Sequence, residues 1–229
     1  MKLEISEKKK YESIREYALR IMNKNLLNMN LAPGMALSEQ EIANELEISR
    51  TPVREAFIRL AHDNLLDILP QKGTYVAKID LGQVAESIFL RETMEHAIMQ
   101  VACKNFSESS LQKLQSCLDL QELCVKRDDF PRFFEMDGTF HGIIFAACDK
   151  TRIWQMIEQM SLNYNRVRML NLVNGYYEMP KLFGQHEDIF MAIEQSNWEK
   201  GEKVIGEHIN KVLKDTEDLK EKYPLYFKD

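Results

Sequence analysis

The string SRTPVREAFIRL, residues 49–60, places two arginines four positions apart in a helical pattern. Side chains at this spacing lie on one face of an α-helix, so Arg50 and Arg54 form a cationic edge opposite an apolar stripe. Arginine can bond guanine O6 and N7 with two N–H groups, the commonest base-specific contact in the DNA major groove. On spacing alone, a solvated helix face with two arginines stays an equally open interpretation.

A second candidate set is one aspartate and three histidines in the C-terminal half. Asp137 and His141 are again four apart, and His186 and His208 lie on apolar stripes of two later helical patterns. A buried carboxylate is costly unless it is paired or bound to a cation. Imidazole and carboxylate together suit a divalent metal, and helix bundles build such sites from facing helices. The four residues therefore predict a metal site, although each histidine alone would be an ordinary core residue.

Three helical patterns position the arginine pair. The first covers about residues 7–27, and Pro33 and Gly34 break it. The S-x-x-E capping box of Ser38 and Glu41 opens the second, and the arginine segment is the third. LLDIL and TYVAKI then read as two short strands around PQKG. Helix, helix–turn–helix and hairpin in this order predict a winged helix over residues 1–79.

The rest of the chain, residues 80–229, is almost wholly helical in pattern. Six helices are predicted, near 82–104, 108–126, 130–148, 150–173, 180–196 and 198–219. The aromatic tail YPLYFKD is expected to pack against other residues. The predicted fold class is mainly α, with an N-terminal winged helix-turn-helix followed by an all-α six-helix effector-binding bundle.

Composition limits the classes of function. The chain of 229 residues is 45% hydrophobic and 29% charged, which is typical of soluble globular proteins. No apolar run approaches the roughly 18 residues of a membrane span, and MKLEISEKKK has no apolar signal segment. The four cysteines form no C-x-x-C pair, which favours buried, reduced thiols in the cytoplasm. The formal net charge is −6, but residues 1–79 carry about +1, so DNA is not excluded.

In a helix–turn–helix the second helix enters the major groove with its first residues toward the bases. Arg50 and Arg54 are placed there, and Ser49 and Thr51 can bond phosphates or bases. The wing tip can approach the DNA backbone or minor groove. The predicted DNA-contacting residues of the recognition helix and the wing are Ser49, Arg50, Thr51, Arg54, Lys72 and Gly73.

Residues 31–76, from LAPGMALSEQ to QKGTYV, resemble the DNA-binding domain of GntR-type bacterial transcription regulators. The string S-R-T-P-V-R-E-A, followed by R-L-A and the K-G of the wing, carries the resemblance. It implies DNA contacts by Arg50, Thr51, Arg54 and Gly73. This chain departs from the pattern at two positions. Gln40 stands where many relatives have arginine, which alters a DNA contact, and Glu47 fills a turn where glycine is usual. A left-handed backbone at Glu47 would cost about 1 kcal/mol.

Residues 82–219 resemble the all-helical ligand-sensing FCD domain of the FadR-like branch of these regulators. A D-x-x-x-H pair, a histidine in the next-to-last helix and a histidine in the last helix form that domain's metal signature. Asp137, His141, His186 and His208 match it. The resemblance implies a bound divalent metal ion of the Zn, Ni or Mn type.

Arg91 is unusual because it is a cation on the apolar stripe of the helix predicted near 82–104. One interpretation is a buried Arg91–Glu95 ion pair, placed at a dimer contact. The resemblance favours another, in which Arg91 binds the carboxylate of an effector beside the metal. Arg166, in YNRVRML, is a second candidate for effector binding.

The sequence thus predicts a cytoplasmic transcription regulator, not an enzyme, that responds to a small carboxylate metabolite. A homodimer would place two recognition helices on a palindromic operator of double-stranded DNA. Two alternatives stay open. Three histidines and an aspartate around a metal could activate water, giving a metal-dependent hydrolase fused to a DNA-binding domain. The metal could also be purely structural and close the bundle.

Overall fold

The computed structural model describes residues 3–175, 178–214 and 216–228. The predicted fold class is confirmed, because helices dominate and a small antiparallel sheet follows the helix–turn–helix. The chain divides into two compact units. The first unit combines Met1–Gly82, Leu162–Leu170 and Glu217–Asp229, and the second combines Gln83–Ser161 and Asn171–Thr216.

The first unit contains the winged helix. Its elements are α1 (Ile14–Leu27), β1 (Ala36–Leu37), α2 (Glu39–Glu45), α3 (Arg50–His62), β2 (Leu66–Leu69) and β3 (Gly73–Val76). The sheet order is β1-β3-β2, with Ala36 opposite Tyr75 and Leu66 opposite Val76. The hairpin of β2 and β3 was predicted. The two-residue strand β1 was not, because so short a strand has no alternation to read.

Helix α1 begins later than its apolar pattern indicates. Ser13 is the N-cap, and its hydroxyl accepts a hydrogen bond from the Glu16 N–H at 3.2 Å. The Glu16 carboxylate accepts in return from the Ser13 N–H at 2.8 Å. This capping box satisfies two backbone donors at the end of the helix and fixes its start. The predicted start near residue 7 is therefore wrong.

Two turns around α2 and α3 use left-handed residues. Glu47, between the two helices, has φ of 53°, so glutamate occupies the conformation that glycine adopts most easily. Asn64, just after α3, has φ of 57°, which a short amide side chain tolerates better. Both turns redirect the chain so that α3 packs its apolar stripe inward. Val53, Phe57 and Leu60 of that stripe are almost fully buried.

The C-terminal tail packs within the first unit, as expected from its aromatic residues. Phe227 is buried and pairs with Ile79 in an isolated parallel bridge. The Ile79 N–H donates to the carbonyl of Tyr226 at 2.8 Å, and the Lys228 N–H donates to the carbonyl of Ile79 at 2.9 Å. The tail thereby fixes the segment that follows the wing.

The second unit is a helical bundle. It is built from α4 (Leu81–Ala102), α5 (Glu108–Arg127), α6 (Phe130–Ala147), α7 (Thr151–Met160), α9 (Met179–Glu194) and α10 (Trp198–Lys214). Helix α5 packs against α6 and α9, and α9 packs against α10. Helix α8 (Leu162–Val173) lies mostly in the first unit, and α11 (Thr216–Lys222) precedes a short 3-10 turn (Pro224–Tyr226).

The single helix predicted over 150–173 is wrong, because the structure divides it at Ser161. Ser161 ends α7 with φ of −87° and ψ of 14°, outside helical geometry. Ile157 and Tyr164 on either side are both buried and seven residues apart, so the apolar periodicity continues across the break. Periodicity therefore could not reveal it. The last predicted helix, 198–219, similarly appears as α10 and α11, with residue 215 outside the described residues.

The burial predicted for the four cysteines is confirmed. All four are unbridged and buried. Burial raises the pKa of the Cys117 thiol to about 11, which keeps it protonated and unreactive. Over the part of the chain that is described, no helix has the length and apolar character needed to cross a bilayer.

Candidate metal centre and nucleic-acid interface

Three helices of the second unit bring the predicted aspartate and histidines together. Asp137 and His141 come from successive turns of α6, His186 from α9 and His208 from α10. Each is at most 3% exposed. One ligand atom from each residue can be chosen so that all four lie within 4.8 Å of one another. The sequence placed these residues on separate inward stripes, and the tertiary packing makes them one cluster.

The spacing of the ligand atoms fits a small cation. The Nε2 atom of His186 lies 3.4 Å from Asp137 Oδ1, and the Nε2 atom of His208 lies 3.6 Å from the same oxygen. Metal–ligand bonds of about 2.1 Å in a tetrahedral site place neighbouring ligand atoms about 3.4 Å apart. These separations therefore leave the space that one such ion needs.

Each imidazole is held from behind by an acceptor at its Nδ1 atom. For His186 the acceptor is Gln121 Oε1 at 2.7 Å, and for His208 it is Gln185 Oε1 at 3.1 Å. The Nδ1 atom of His141 lies 2.7 Å from Oε2 of the Glu95 carboxylate. A proton on Nδ1 leaves the lone pair of each ring on Nε2, toward the cluster. Metal-ligating histidines are usually oriented in this way.

Two further observations fit a metal ion. The Nε2 atom of His141 is buried and has no hydrogen-bond partner among the described residues, which is costly unless something else binds it. Burial lowers the pKa of His208 to about 3, against the opposing effect of the Asp137 carboxylate. His208 is therefore neutral at ordinary pH, which is the form that binds metals. The donor set of three imidazoles and one carboxylate suits a divalent transition metal.

Arg91 lies beside this cluster as the buried partner of Glu95 on α4. Its Nε atom donates to Glu95 Oε1 at 2.8 Å, and its Nη2 atom lies 2.8 Å from the same oxygen. The guanidinium carbon lies 5.7 Å from the centre of the Trp154 ring, within cation–π range. The ion pair considered from the sequence is present, and it touches a candidate metal ligand through Glu95.

Glu95 keeps its charge although it is buried. Burial alone would raise the pKa of its carboxyl, but Arg91 and His141 outweigh burial and lower that pKa to about 2. The sequence placed Glu95 only as the partner of Arg91, and it missed Gln121 and Gln185. The sequence contained two signals that could have pointed to these residues. One is the pair of charged residues on the apolar stripe of α4, and the other is the glutamine on the stripe of α5.

Arg166 has a different environment from Arg91. It lies in the part of α8 that belongs to the first unit, where it donates to the carbonyl of Ala77 at 2.8 Å and to Asn163 Oδ1 at 3.1 Å. Burial lowers the pKa of its guanidinium to about 10, so it stays charged. The bond to Ala77 ties α8 to the end of the wing, and the bond to Asn163 lies within α8. Neither supports the interpretation of Arg166 as an effector ligand.

In the first unit, the recognition helix exposes the residues predicted to meet DNA. Ser49 is the N-cap of α3 and makes no side-chain cap hydrogen bond, so its hydroxyl is available. The remaining members of the set surround it on α2, α3 and the wing. The exposed residues are Gln40, Ser49, Arg50, Thr51, Arg54, Lys72 and Gly73.

Arg50 has a partner that the sequence did not reveal. Its Nε atom donates to Glu39 Oε2 at 2.7 Å, across the turn between α2 and α3. The Nε contact orients the guanidinium from one edge and leaves its two terminal nitrogens at the other. Those two nitrogens form the fork that pairs with guanine O6 and N7. Glu39 is therefore a further candidate for the DNA interface.

The wing tip and Gln40 complete this surface. Gly73 has φ of 117°, a conformation that strains any residue with a side chain, so the tight tip depends on glycine. The Tyr75 hydroxyl donates to the carbonyl of Lys72 at 3.1 Å and supports the tip. Gln40 donates to Asn44 Oδ1 at 2.9 Å on the outer face of α2.

Comparison with known proteins assigns both parts of the chain to families. Residues 17–76 match the family of bacterial regulatory proteins named gntR, and residues 86–211 match the FCD domain. The HTH-type transcriptional repressor RspR of Escherichia coli K12 is 30% identical over 219 residues, which cover 95% of each chain. The gluconate operon transcriptional repressor of Bacillus subtilis 168 is 27% identical over 164 residues, covering 70% of this chain and 67% of the relative.

Solved structures show the same fold. The structure of E. coli McbR/YncC gives a TM-score of 0.73 at 21% identity, covering 92% of this chain and 99% of that one. A GntR regulator from Rhodococcus sp. RHA1 gives 0.70 at 21% identity, covering 87% and 97%. The FCD match spans more than half of the chain, and the repressor RspR aligns along nearly all of it. The chain therefore belongs to the GntR family of DNA-binding transcription regulators and carries an FCD domain.

Proposed function

We propose that this regulator senses a small carboxylate metabolite at a divalent metal held by Asp137, His141, His186 and His208. The observation that carries the proposal is the arrangement of the three imidazoles. Each has an oxygen close to Nδ1, the Nε2 atoms of His186 and His208 approach one oxygen of Asp137, and ligand atoms of all four residues lie within 4.8 Å of one another. A buried neutral imidazole has one N–H donor and one acceptor nitrogen, and both need a partner. Three rings oriented in common indicate a shared ligand.

The residues around the cluster have distinct parts in this proposal. A bound divalent ion, of Zn, Ni or Mn type, would supply a Lewis-acidic centre for carboxylate oxygens. Asp137 and the histidines hold that ion, and the buried ring edges exclude water. Arg91 neutralises and orients the carboxylate, because a guanidinium has five N–H donors and can bond Glu95 and a second anion together.

On the DNA side, Arg50 and Arg54 read bases in the major groove, while Ser49, Thr51 and Gln40 bond bases or phosphates. Lys72 and Gly73 bring the wing to the DNA backbone or minor groove. A homodimer in the cytoplasm would present two such surfaces to a palindromic operator. Effector binding changes operator affinity only if the effector binds the two conformational states differently.

The hydrolase alternative has little support in the site. The buried carboxylate nearest to the cluster outside its own ligands is Glu95, among the described residues. One of its oxygens lies 2.7 Å from His141 Nδ1 and the other bonds Arg91. With a pKa of about 2 it is a weak base, poorly suited to take a proton from water.

The proposal is tested with the full-length protein. The metal is removed with a chelator and replaced by Zn²⁺, Ni²⁺ or Mn²⁺, and bound metal is measured by mass spectrometry. Melting temperatures are then recorded with lactate, gluconate, dicarboxylates and fatty acids. Gluconate is included because one relative is a gluconate operon repressor. A metal-dependent shift that also changes affinity for selected DNA supports sensing. Metal binding without any carboxylate-dependent shift would identify a purely structural metal.

A further inference from the structure

The three acceptors behind the histidines differ in charge. Gln121 and Gln185 present neutral amide oxygens to His186 and His208. Glu95 presents a carboxylate to His141. The site is therefore asymmetric: one of its three imidazoles is held by a negative charge and the other two are not.

Glu95 divides its two oxygens between two functional groups. Oε1 accepts from the Arg91 Nε atom at 2.8 Å, and Oε2 lies 2.7 Å from His141 Nδ1. The three side chains are each at most 3% exposed. Because no solvent separates them, a change at Arg91 reaches His141 through one carboxylate.

A charged acceptor changes what an imidazole can do. A carboxylate at Nδ1 fixes the proton there, keeps Nε2 free for a metal and makes that nitrogen a stronger ligand. A neutral amide fixes the proton as well but adds less basicity. A cation bound to the same carboxylate opposes the effect, because it withdraws part of the negative charge.

We propose that Glu95 is a positioning residue that makes His141 the dominant imidazole ligand of the site and couples it to Arg91. The role in metal binding rests on the metal site proposed above. The proposal predicts opposite effects of the two charges on metal affinity. Loss of the Glu95 charge weakens metal binding, whereas loss of the Arg91 charge does not. A merely structural ion pair would make both losses harmful in the same way.

The first measurement uses the wild-type, metal-free protein with ¹⁵N-labelled histidine. Nuclear magnetic resonance should show the imidazole proton of His141 on Nδ1. A proton on Nε2, or a mixture of both forms, would overturn the proposal. This result does not depend on whether a metal binds, so it separates the role of Glu95 from the proposed sensing function.

The second measurement is Zn²⁺ affinity by competition with a chelator. Glu95→Gln should weaken Zn²⁺ binding by roughly ten- to a hundredfold, which is the usual loss when such a supporting group is removed. Arg91→Met should bind Zn²⁺ at least as tightly as the wild type. Glu86→Gln removes the same charge from the exposed face of α4 and should stay within about twofold of the wild type.

Each outcome decides between the interpretations. Zn²⁺ affinity of Glu95→Gln within twofold of the wild type overturns the proposal, as does an equal loss in Arg91→Met. If Glu95→Gln does not fold, the double variant with Arg91→Met removes both buried charges together, which proteins often tolerate. That double variant should also bind Zn²⁺ more weakly. A wild type that binds no metal refutes the sensing function, and the histidine spectrum still decides whether Glu95 fixes His141.

Discussion

Two arginine–glutamate pairs of nearly identical length serve the two units. Arg50 Nε lies 2.7 Å from Glu39 Oε2 at the DNA surface, with side chains 64% and 21% exposed. Arg91 Nη2 lies 2.8 Å from Glu95 Oε1 beside the candidate metal, with side chains 3% and 1% exposed. The distances are equivalent, and the main difference between the two pairs is the access of water.

That difference decides what each pair can do. An exposed pair is typically worth no more than about 1 kcal/mol, because water and salt screen it. The Arg50 side chain can therefore adjust its position on DNA at little cost. Breaking a buried pair typically costs about 3–5 kcal/mol, because it leaves an uncompensated charge. The buried Arg91–Glu95 pair is suited to hold a fixed geometry, and the exposed Arg50–Glu39 pair is suited to be rearranged.

The largest effect is expected from the buried side of this comparison. His208→Ala should lose most of the stabilisation that metal gives. For the wild type this gain is about 4 kcal/mol in unfolding free energy when free Zn²⁺ exceeds its Kd a thousandfold. Denaturant melts with and without Zn²⁺ measure the loss. His62→Ala, on an exposed side chain of the first unit, is the control and should keep the full gain. Full metal occupancy in His208→Ala would refute the shared site.

A smaller effect is expected at Arg91. Arg91→Met should keep its metal but weaken the carboxylate effector by roughly ten- to a hundredfold, about 1.5–3 kcal/mol. The reason is that a buried, charge-assisted hydrogen bond is lost. Calorimetry on the Zn²⁺-loaded protein, with a carboxylate that shifts its melting temperature, measures this. Arg152→Met, on the exposed face of α7, is the matched control. Unchanged effector affinity with a changed oligomeric state would make Arg91 a structural partner only.

On the exposed side, Arg54→Ala should cost about 1–3 kcal/mol of binding to a selected operator if Arg54 reads a guanine. Binding to random DNA should fall much less, because phosphate contacts carry most of it. Arg59→Ala, on the same helix and paired with Asp63 at 2.9 Å, is the control. Fluorescence anisotropy at fixed salt measures the six affinities of the wild type and both variants for the two DNAs. Equal losses on both DNAs would show that Arg54 contacts only phosphate.

The smallest effect is expected at Glu39. Glu39→Gln should change the free energy of unfolding by less than about 1 kcal/mol, because the pair is exposed. It should instead broaden the base preference at one operator position, since the guanidinium of Arg50 loses its orientation. Selection from a random DNA library, followed by sequencing, compares the two preferences. An unchanged preference would mean that Glu39 does not orient Arg50 on DNA.

Local patterns explain most of what could be predicted about the fold. The apolar stripe of α3 and the hairpin after it are short-range features, so they predicted a winged helix correctly. The start of α1 was also local, because the capping box of Ser13 and Glu16 is legible in the sequence. The break at Ser161 could not be predicted, because the helical periodicity of buried residues continues on both sides of it.

The sequence by itself determined which residue types could meet: three histidines and an aspartate on inward stripes, and arginines on an outward one. Periodicity specifies the face of a helix, and that is enough to name such candidates. Only the tertiary structure decided their partners. Glu95 behind His141, Gln121 behind His186 and Glu39 beside Arg50 come from other helices, and Arg166 is bound to the wing. The pattern of one helix contains no information about the distance to another, so these contacts depend on how the helices pack.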